Sequence, residues 1–400
     1  MIHAARLVAT LLVGLAGCAV GFPVVSRNAT VHPKLYAFNH DVALKYSAYG
    51  ASEELSMKMS KMGSSPFYFY RGTAHLFYDD MASPAWGASA FYSDSTNYTL
   101  LLGDAHLANF GTFENANSDI VFDWADFDET YQGSYLWDVR RLATSIVLGA
   151  GETGLAAADV NATVKNLADW YLNKLGDFKG TSAEIGYVLK SGDTSGYVNN
   201  LIAKAGANTR SDLLSKYTAS GKFVTNNVNL TTITSALYTS VVAAVQPASS
   251  MYRSNLGSSA STADSYYKVK DVRRKKFSGT GSLGRLRLYV LIDGPSTSNS
   301  DDRILEVKME TSSAVARAAP GRTPPSAYMS HEGRRAVLGY KAMLTSVDPL
   351  VGHTTVDGYP CYAHEKIPKG EDFDHTQLTS ASKWLAASEY IGKIAARSHA

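Results

Sequence analysis

Two short segments of this chain crowd together residues able to hold and move charged groups. The first, Gly103-Asp104-Ala105-His106-Leu107-Ala108-Asn109-Phe110-Gly111, sets an acid, an imidazole and an amide in close succession. The second, Asp123-Trp124-Ala125-Asp126-Phe127-Asp128-Glu129, sets carboxylates among aromatic rings. Acids buried beside Phe and Trp are costly unless a cation neutralises them or their pKa values rise. A divalent cation meets that need: carboxylate and amide oxygens are the hard ligands Mg²⁺ or Mn²⁺ takes, and such an ion keeps positions open for phosphate oxygens. His106 either fixes the loop through hydrogen bonds or transfers a proton. The competing structural reading has the acids cap turns and pair with Arg71, Arg140 and Arg141.

A third segment lies far downstream. Gly279-Thr280-Gly281-Ser282-Leu283-Gly284 has the spacing G-x-G-x-x-G, which alone is often only a flexible turn. After it, Leu286, Leu288, Val290 and Ile292 alternate with Arg287, Tyr289 and Leu291, and a Ser- and Asp-rich turn leads to Arg303–Met309. The two stretches predict a β-hairpin. In its second strand Leu305, Val307 and Met309 share one face and Glu306, Lys308 and Glu310 the other, so the Lys308 ammonium points away from the core face, where it could meet phosphate oxygens. Glu310, or Glu332 on a helix expected around 332–344, is the candidate partner for that lysine. Arg71 and Arg140 could bind a phosphate, but pairing with Asp128 and Asp138 is the favoured expectation. The basic run Arg273-Arg274-Lys275-Lys276 is expected to be a solvated face.

The strands that deliver the acidic segments are expected at Tyr98–Leu102 and Asp119–Phe122, and as neighbours they would make the carboxylates converge. Residues 22–150 hold this chemistry. Residues 151–245 read as a helical scaffold, with Val160, Val164, Leu167, Tyr171 and Leu175 marking one helix. Residues 246–264 are a Ser-rich connector. Residues 265–400 carry the Gly-rich loop and end in a helical stripe of Trp384, Leu385, Ile391 and Ile394; with no stop signal before Ala400, a continuation of the chain stays open. A chain of 400 residues, 45% apolar and 18% charged, has material for a sizeable core and is not disordered. A net charge of +2 gives no reason to expect nucleic acid or a membrane surface as partner. Two cysteines cannot make a disulfide framework, and Cys361 reads as a buried thiol.

At the N-terminus Arg6, the apolar run Leu7–Ala16 and small residues through Gly21 form the pattern of a secretory signal over residues 1–21, too short for a comfortable membrane span. The expected location is outside the cell or in the secretory lumen; Leu15-Ala16-Gly17-Cys18 offers the alternative of a bacterial lipoprotein anchored through Cys18. Asn28, Asn97, Asn161 and Asn229 each satisfy the glycosylation sequon.

GDAHLANFG followed by VFDWADFDET, with FYRG upstream (Phe69 to Gly72) and LWDVRRLATS downstream, resembles the family known as domain of unknown function 2252. The likeness continues through the Gly-rich segment, LEVKME and the closing IAARSHA. The G-D-x-H-x-x-N spacing is also similar to the catalytic loop of aminoglycoside and choline phosphotransferases, and the Gly-rich loop before a lysine-bearing strand resembles the phosphate-covering loop of kinases. This resemblance implies an α+β, protein-kinase-like fold of two lobes with a helical middle region. In kinases the Gly-rich loop precedes the catalytic loop, whereas here it follows, so the implied fold is circularly permuted. The implied activity is phosphoryl transfer from ATP, with Mg²⁺ or Mn²⁺, to the hydroxyl of a small-molecule or protein acceptor. In that scheme Asp104 orients the hydroxyl and accepts its proton, and Asn109 with Asp123 or Asp126 holds the metal. Gly279, Gly281, Ser282, Gly284 and Lys308 hold the nucleotide. The alternatives are a metal-dependent phosphoesterase with two ions on Asp104, His106, Asp123, Asp126 and Asp128, nucleotidyl transfer from the same cleft, and a non-catalytic nucleotide-binding module.

Overall fold

The computed structural model describes residues 51–83 and 97–400; the signal segment, Cys18 and the Asn28 sequon lie outside them. The chain is an α+β protein with antiparallel sheets and eleven α-helices among the described residues. Three helices lead: α1 (Ala51–Ser64), α2 (Pro66–Gly72) and α3 (Ala74–Met81). Ser65 caps α2 by accepting from the Tyr68 N–H, and Pro66 starts it where a missing N–H is harmless. The buried stripe of α1 is Glu54, Lys58 and Met62, one helical turn apart, so this helix turns two charges inward.

Two small ladders carry the acidic segments. β1 (Tyr98–Leu101) pairs with β4 (Tyr131–Ser134), while β2 (Phe110–Glu114) lies between β3 (Ile120–Trp124) and β13 (Gly370–Asp372). The strands expected at 98–102 and 119–122 form, but they are not neighbours, which corrects the reason given for convergence. The two acidic segments are joined through β2, a strand the sequence reading did not name. Phe110 stands opposite Trp124 and Gly111 opposite Asp123, and the Ala125 N–H donates to the Asn109 carbonyl at 2.8 Å.

Around these ladders pack α4 (Tyr135–Glu152), α5 (Ala157–Phe178), α6 (Gly196–Ala207) and the closing α11 (Ala381–His399). Phe110, Phe122, Trp124, Leu167, Trp384 and Ile391 belong to their common core. α11 lies close along α5 because Gly392 carries no side chain: a Cβ there would stand 2.7 Å from the Leu167 carbonyl oxygen.

The remaining elements are α7 (Arg210–Tyr217), the short strands β5 (Thr218–Ala219), β6 (Lys222–Phe223) and β7 (Leu230–Thr231), then α8 (Ser235–Val245), α9 (Met251–Ser254) and β8 (Val269–Lys275). β9 (Arg287–Ile292) and β10 (Arg303–Met309) form the expected hairpin, followed by α10 (Glu332–Met343), β11 (Gly352–Val356) and β12 (Tyr359–Glu365). Six strands make one antiparallel sheet in the order β11-β12-β10-β9-β8-β7. One face, with Leu288, Val290, Leu305 and Val307, packs against α8; the other, with Tyr289, Leu291 and Ile304, packs against Leu214 and Tyr217 of α7. Cover on both sides explains why apolar residues break the alternation along β9. Cys361 is buried in this sheet, and burial pushes its thiol well up.

The Ser-rich stretch 246–264 is exposed or half-buried apart from Ser250 and Tyr252, and it is pinned at its middle, where the Tyr252 hydroxyl donates to the Leu350 carbonyl at 2.8 Å. One expectation is corrected here. The basic run is not a solvated face, because α1 brings acids to it; Arg274 is buried against Glu54, and Lys276 meets Glu53 at 2.8 Å. No helix of the described residues is long and apolar enough to cross a membrane.

Candidate functional site

The Asp104 loop begins with a glycine that no other residue could replace. Gly103 sits at φ +83°, and a Cβ on it would fall 2.0 Å from the Glu129 carbonyl oxygen. The amides of Leu102 and Gly103 donate to Asp138 at 2.6 and 3.0 Å, which fixes the start of the loop on α4. From the same helix the buried Arg141 donates through Nε to Asp104 Oδ1 at 2.7 Å. Burial raises the Asp104 pKa, but Arg141 and then His106 outweigh it and hold the carboxyl below the usual carboxylate range. His106 Nε2 stands 3.6 Å from Asp104 Oδ2; burial pulls the imidazole below its ordinary value against the pull of that carboxylate. Asn109 donates from Nδ2 to the Asp104 carbonyl at 2.7 Å, which directs its Oδ1 elsewhere.

The two rivals for the metal-binding role are separated by their partners. Asp123 is buried in a two-pronged pair with Arg397 at 2.5 and 2.8 Å, so both oxygens are engaged by a cation already. Its expected place as a metal ligand is therefore corrected: α11 supplies the charge that the sequence reading assigned to an ion. Asp126 turns the other way, toward Lys308 Nζ at 3.0 Å, and Asp128 meets the same ammonium at 2.5 Å. Burial lowers the Lys308 pKa, but the two carboxylates outweigh it and hold the group above its usual value. The glutamate partners expected for Lys308 are corrected as well. Glu332 is taken by Arg335 at 2.5 Å, and both buried oxygens of Glu310 lack hydrogen bonds. Burial, then Asp128, raises Glu310 well above the usual range.

Arg71 and Arg140 do not pair with Asp128 and Asp138, because Lys308 and backbone amides already occupy those acids. Arg140 reaches Met81 Sδ at 3.9 Å. Arg71 makes no ion pair or hydrogen bond among the described residues, and its guanidinium lies 5.6 Å from the Tyr68 ring centre.

The Gly-rich loop joins β8 to β9, with Gly279 and Gly284 at φ +70° and +98°. Helix α1 lies against it: Lys58 Nζ donates to the Gly281 carbonyl at 2.8 Å, and the Phe277 N–H donates to Glu54 at 3.0 Å. Ser282 Oγ accepts from Arg287 at 3.2 Å. A cavity of about 750 Å³ opens between this loop and the acidic segments. Asp104, Asn109, Asp126, Gly279, Gly281 and Ser282 line it; His106, Asp128, Glu310 and Glu332 also reach it. Asp123 and Gly284 do not, and Lys308 stands behind Asp126 and Asp128. The sequence reading gave no role to Lys58, Arg285 or Arg397, which no local pattern distinguishes from surface charges.

For a divalent cation the available donors are oxygens, those of Asn109 and Asp126, two residues that line the cavity. Among the described residues no group of three or more His, Cys, Asp or Glu side chains is arranged to hold a metal ion. The set fits an ion such as Mg²⁺, which takes one or two protein oxygens and fills its shell with water and phosphate. It does not fit a pair of metals held by the protein alone. Of the sequons, Asn161 is exposed and Asn229 half-buried, whereas Asn97 is buried and accepts from Ser134 Oγ at 2.9 Å, leaving no room there for a glycan.

No curated protein and no solved structure matches the chain. A family model described as "Uncharacterized protein conserved in bacteria (DUF2252)" matches residues 51–400, which takes in α1, the Asp104 loop, the Gly-rich loop and α11 in a single span. Every wall of the cavity lies within that match, and the chain belongs to the DUF2252 family.

Proposed function

We propose that the chain is a kinase-like phosphotransferase of permuted order, moving the terminal phosphoryl group of ATP to a hydroxyl acceptor. The observation that carries this reading is the meeting of Asp126 and Lys308, 182 residues apart in sequence, at the edge of a cavity that Asp104, Asn109 and the Gly-rich loop also line. His399 lies 3.4 Å from Asp138, the acid that anchors the start of the Asp104 loop, so α11 also supports that loop.

In this reading Asp104, kept ionised by Arg141, accepts a hydrogen bond from the acceptor hydroxyl and orients its oxygen for in-line attack. As the new O–P bond forms, the bond to the bridging oxygen breaks, the proton passes to Asp104 and ADP leaves. Backbone amides of residues 279–282 approach the phosphates, and Lys308 offsets their charge once it exchanges a carboxylate partner for them. A bound Mg²⁺ would supply further charge neutralisation, with Asn109 and Asp126 as its protein ligands. Calorimetry of the full chain with Mg²⁺ and ATP is the test. Asp126→Asn and Lys308→Met are each expected to weaken binding by about tenfold or more. Absence of nucleotide binding to the wild type, or equal affinity in both variants, would overturn the reading.

A further inference from the structure

Arg71, the arginine of the FYRG segment, is a charge that the contacts described so far leave unexplained. It lines the cavity at the end of α2, its Nε is buried without a hydrogen bond, and it makes no ion pair among the described residues. The carboxylates of Asp104 and Asp126 act on it through space, yet neither bonds to it. Burying a polar nitrogen without a partner is costly, and a half-buried arginine with such a nitrogen is well placed for a ligand to complete it. Its neighbours on the wall differ. Arg317 is held by Asp79 at 2.6 and 3.0 Å, and Arg285 stands 3.9 Å from Asp128 and 3.8 Å from Glu129. Lys58 enters from α1, buried and within the same cavity, on the Gly281 carbonyl. His106 Nδ1, also on this wall, is buried without a hydrogen bond.

We propose that Arg71, supported by Lys58, forms an oxyanion subsite beside Asp104 that takes a phosphate-type group. A guanidinium presents donors in a planar fork that matches two oxygens of a phosphate. Lys58, which burial and Arg285 bring down to about 7, adds a point charge when it is protonated, a state that an arriving anion favours. The position between the Gly-rich loop and Asp104 is where a group in transfer, or a phosphate carried by the acceptor, would lie. That placement rests on the phosphotransfer reading, whereas the anion chemistry does not. The two sources share one chemistry, and experiment separates them.

The test is calorimetric titration of the full chain with inorganic phosphate, free of nucleotide, and then with ATP and with ADP in the presence of Mg²⁺. Phosphate is expected to bind the wild type, Arg71→Gln to weaken it by about tenfold or more, and Arg71→Lys to lie between, because it keeps the charge and loses the fork. Loss of the preference for ATP over ADP in Arg71→Gln assigns the subsite to the terminal phosphoryl group. An unchanged preference, with phosphate binding still lost, assigns it to the acceptor. Phosphate binding that depends on Arg71 in a protein that binds no nucleotide leaves the subsite standing and removes the phosphotransfer reading. The proposal fails if phosphate does not bind the wild type or binds Arg71→Gln equally well. Should Arg71→Gln not fold, as thermal unfolding would reveal, unchanged phosphate affinity in both Arg71→Lys and Lys58→Gln overturns it.

Discussion

Asp104 and Arg141 stabilise one another at the centre of the site, and the consequence can be measured. Arg141 is fully buried, so Asp104→Asn leaves a guanidinium without its counter-charge, at a cost of about 3 kcal/mol. The sign of the pH dependence follows from the lowered Asp104 pKa. Its contribution is fully present above the unfolded carboxylate value of 3.8 and is lost as pH falls through the lower folded value. Urea unfolding at pH 7 is therefore expected to show the variant clearly less stable, with the gap closing as the pH is taken below about 4. A gap that is the same at pH 7 and pH 3 would show that the stabilisation does not come from the ionised carboxylate.

Helix α1 and the Gly-rich loop behave as one element. Glu54 accepts from the Phe277 amide and pairs with Arg274, while Lys58 holds the Gly281 carbonyl. Such loops must approach a ligand closely and are otherwise easily displaced, so a helix that holds the loop from outside sets its resting position. Glu54→Gln removes the charged acceptor while keeping the side-chain shape. Hydrogen exchange at the amides of residues 277–284 is expected to quicken by about tenfold relative to β9, which the substitution does not touch. Equal protection in both proteins would mean that the loop is held by its own turns alone.

Across the whole molecule, α11 ties the scaffold to the site. It packs along α5 through Gly392, and its last turn sends Arg397 to Asp123 and His399 to Asp138. A methyl group at position 392 would press on the Leu167 carbonyl and lift the helix. Gly392→Ala is expected to cost about 1–3 kcal/mol, measured by thermal unfolding, although the residue is remote from the cavity in sequence. No change in stability would mean that the helix pair accommodates the methyl group without moving apart.

How much of this could be read in advance differs from element to element. The helices of 157–178 and 332–343 and the hairpin of β9 and β10 were legible because periodicity of apolar residues reports directly on which face is buried. The strand β2 was not, since its five residues follow straight after a loop and include a glycine. Helix α1 misleads by the same logic: its inward residues include Glu54 and Lys58, which a periodicity rule assigns to solvent. The Asp104 loop, the Gly-rich segment and Lys308 were legible as chemistry, because a residue type and its spacing state what a group can bind.

What the sequence by itself determined was therefore local: which segments are helix or strand, which residues are able to carry charge, and the family to which they belong. Partnership was decided only by the tertiary structure. Asp123 and Asp126 are three places apart and alike in type, yet one is neutralised by Arg397 of α11 and the other meets Lys308 at the cavity. The physical reason is that the fate of a buried charge depends on which opposite charge stands within a few ångströms, and those charges come from residues far away along the chain.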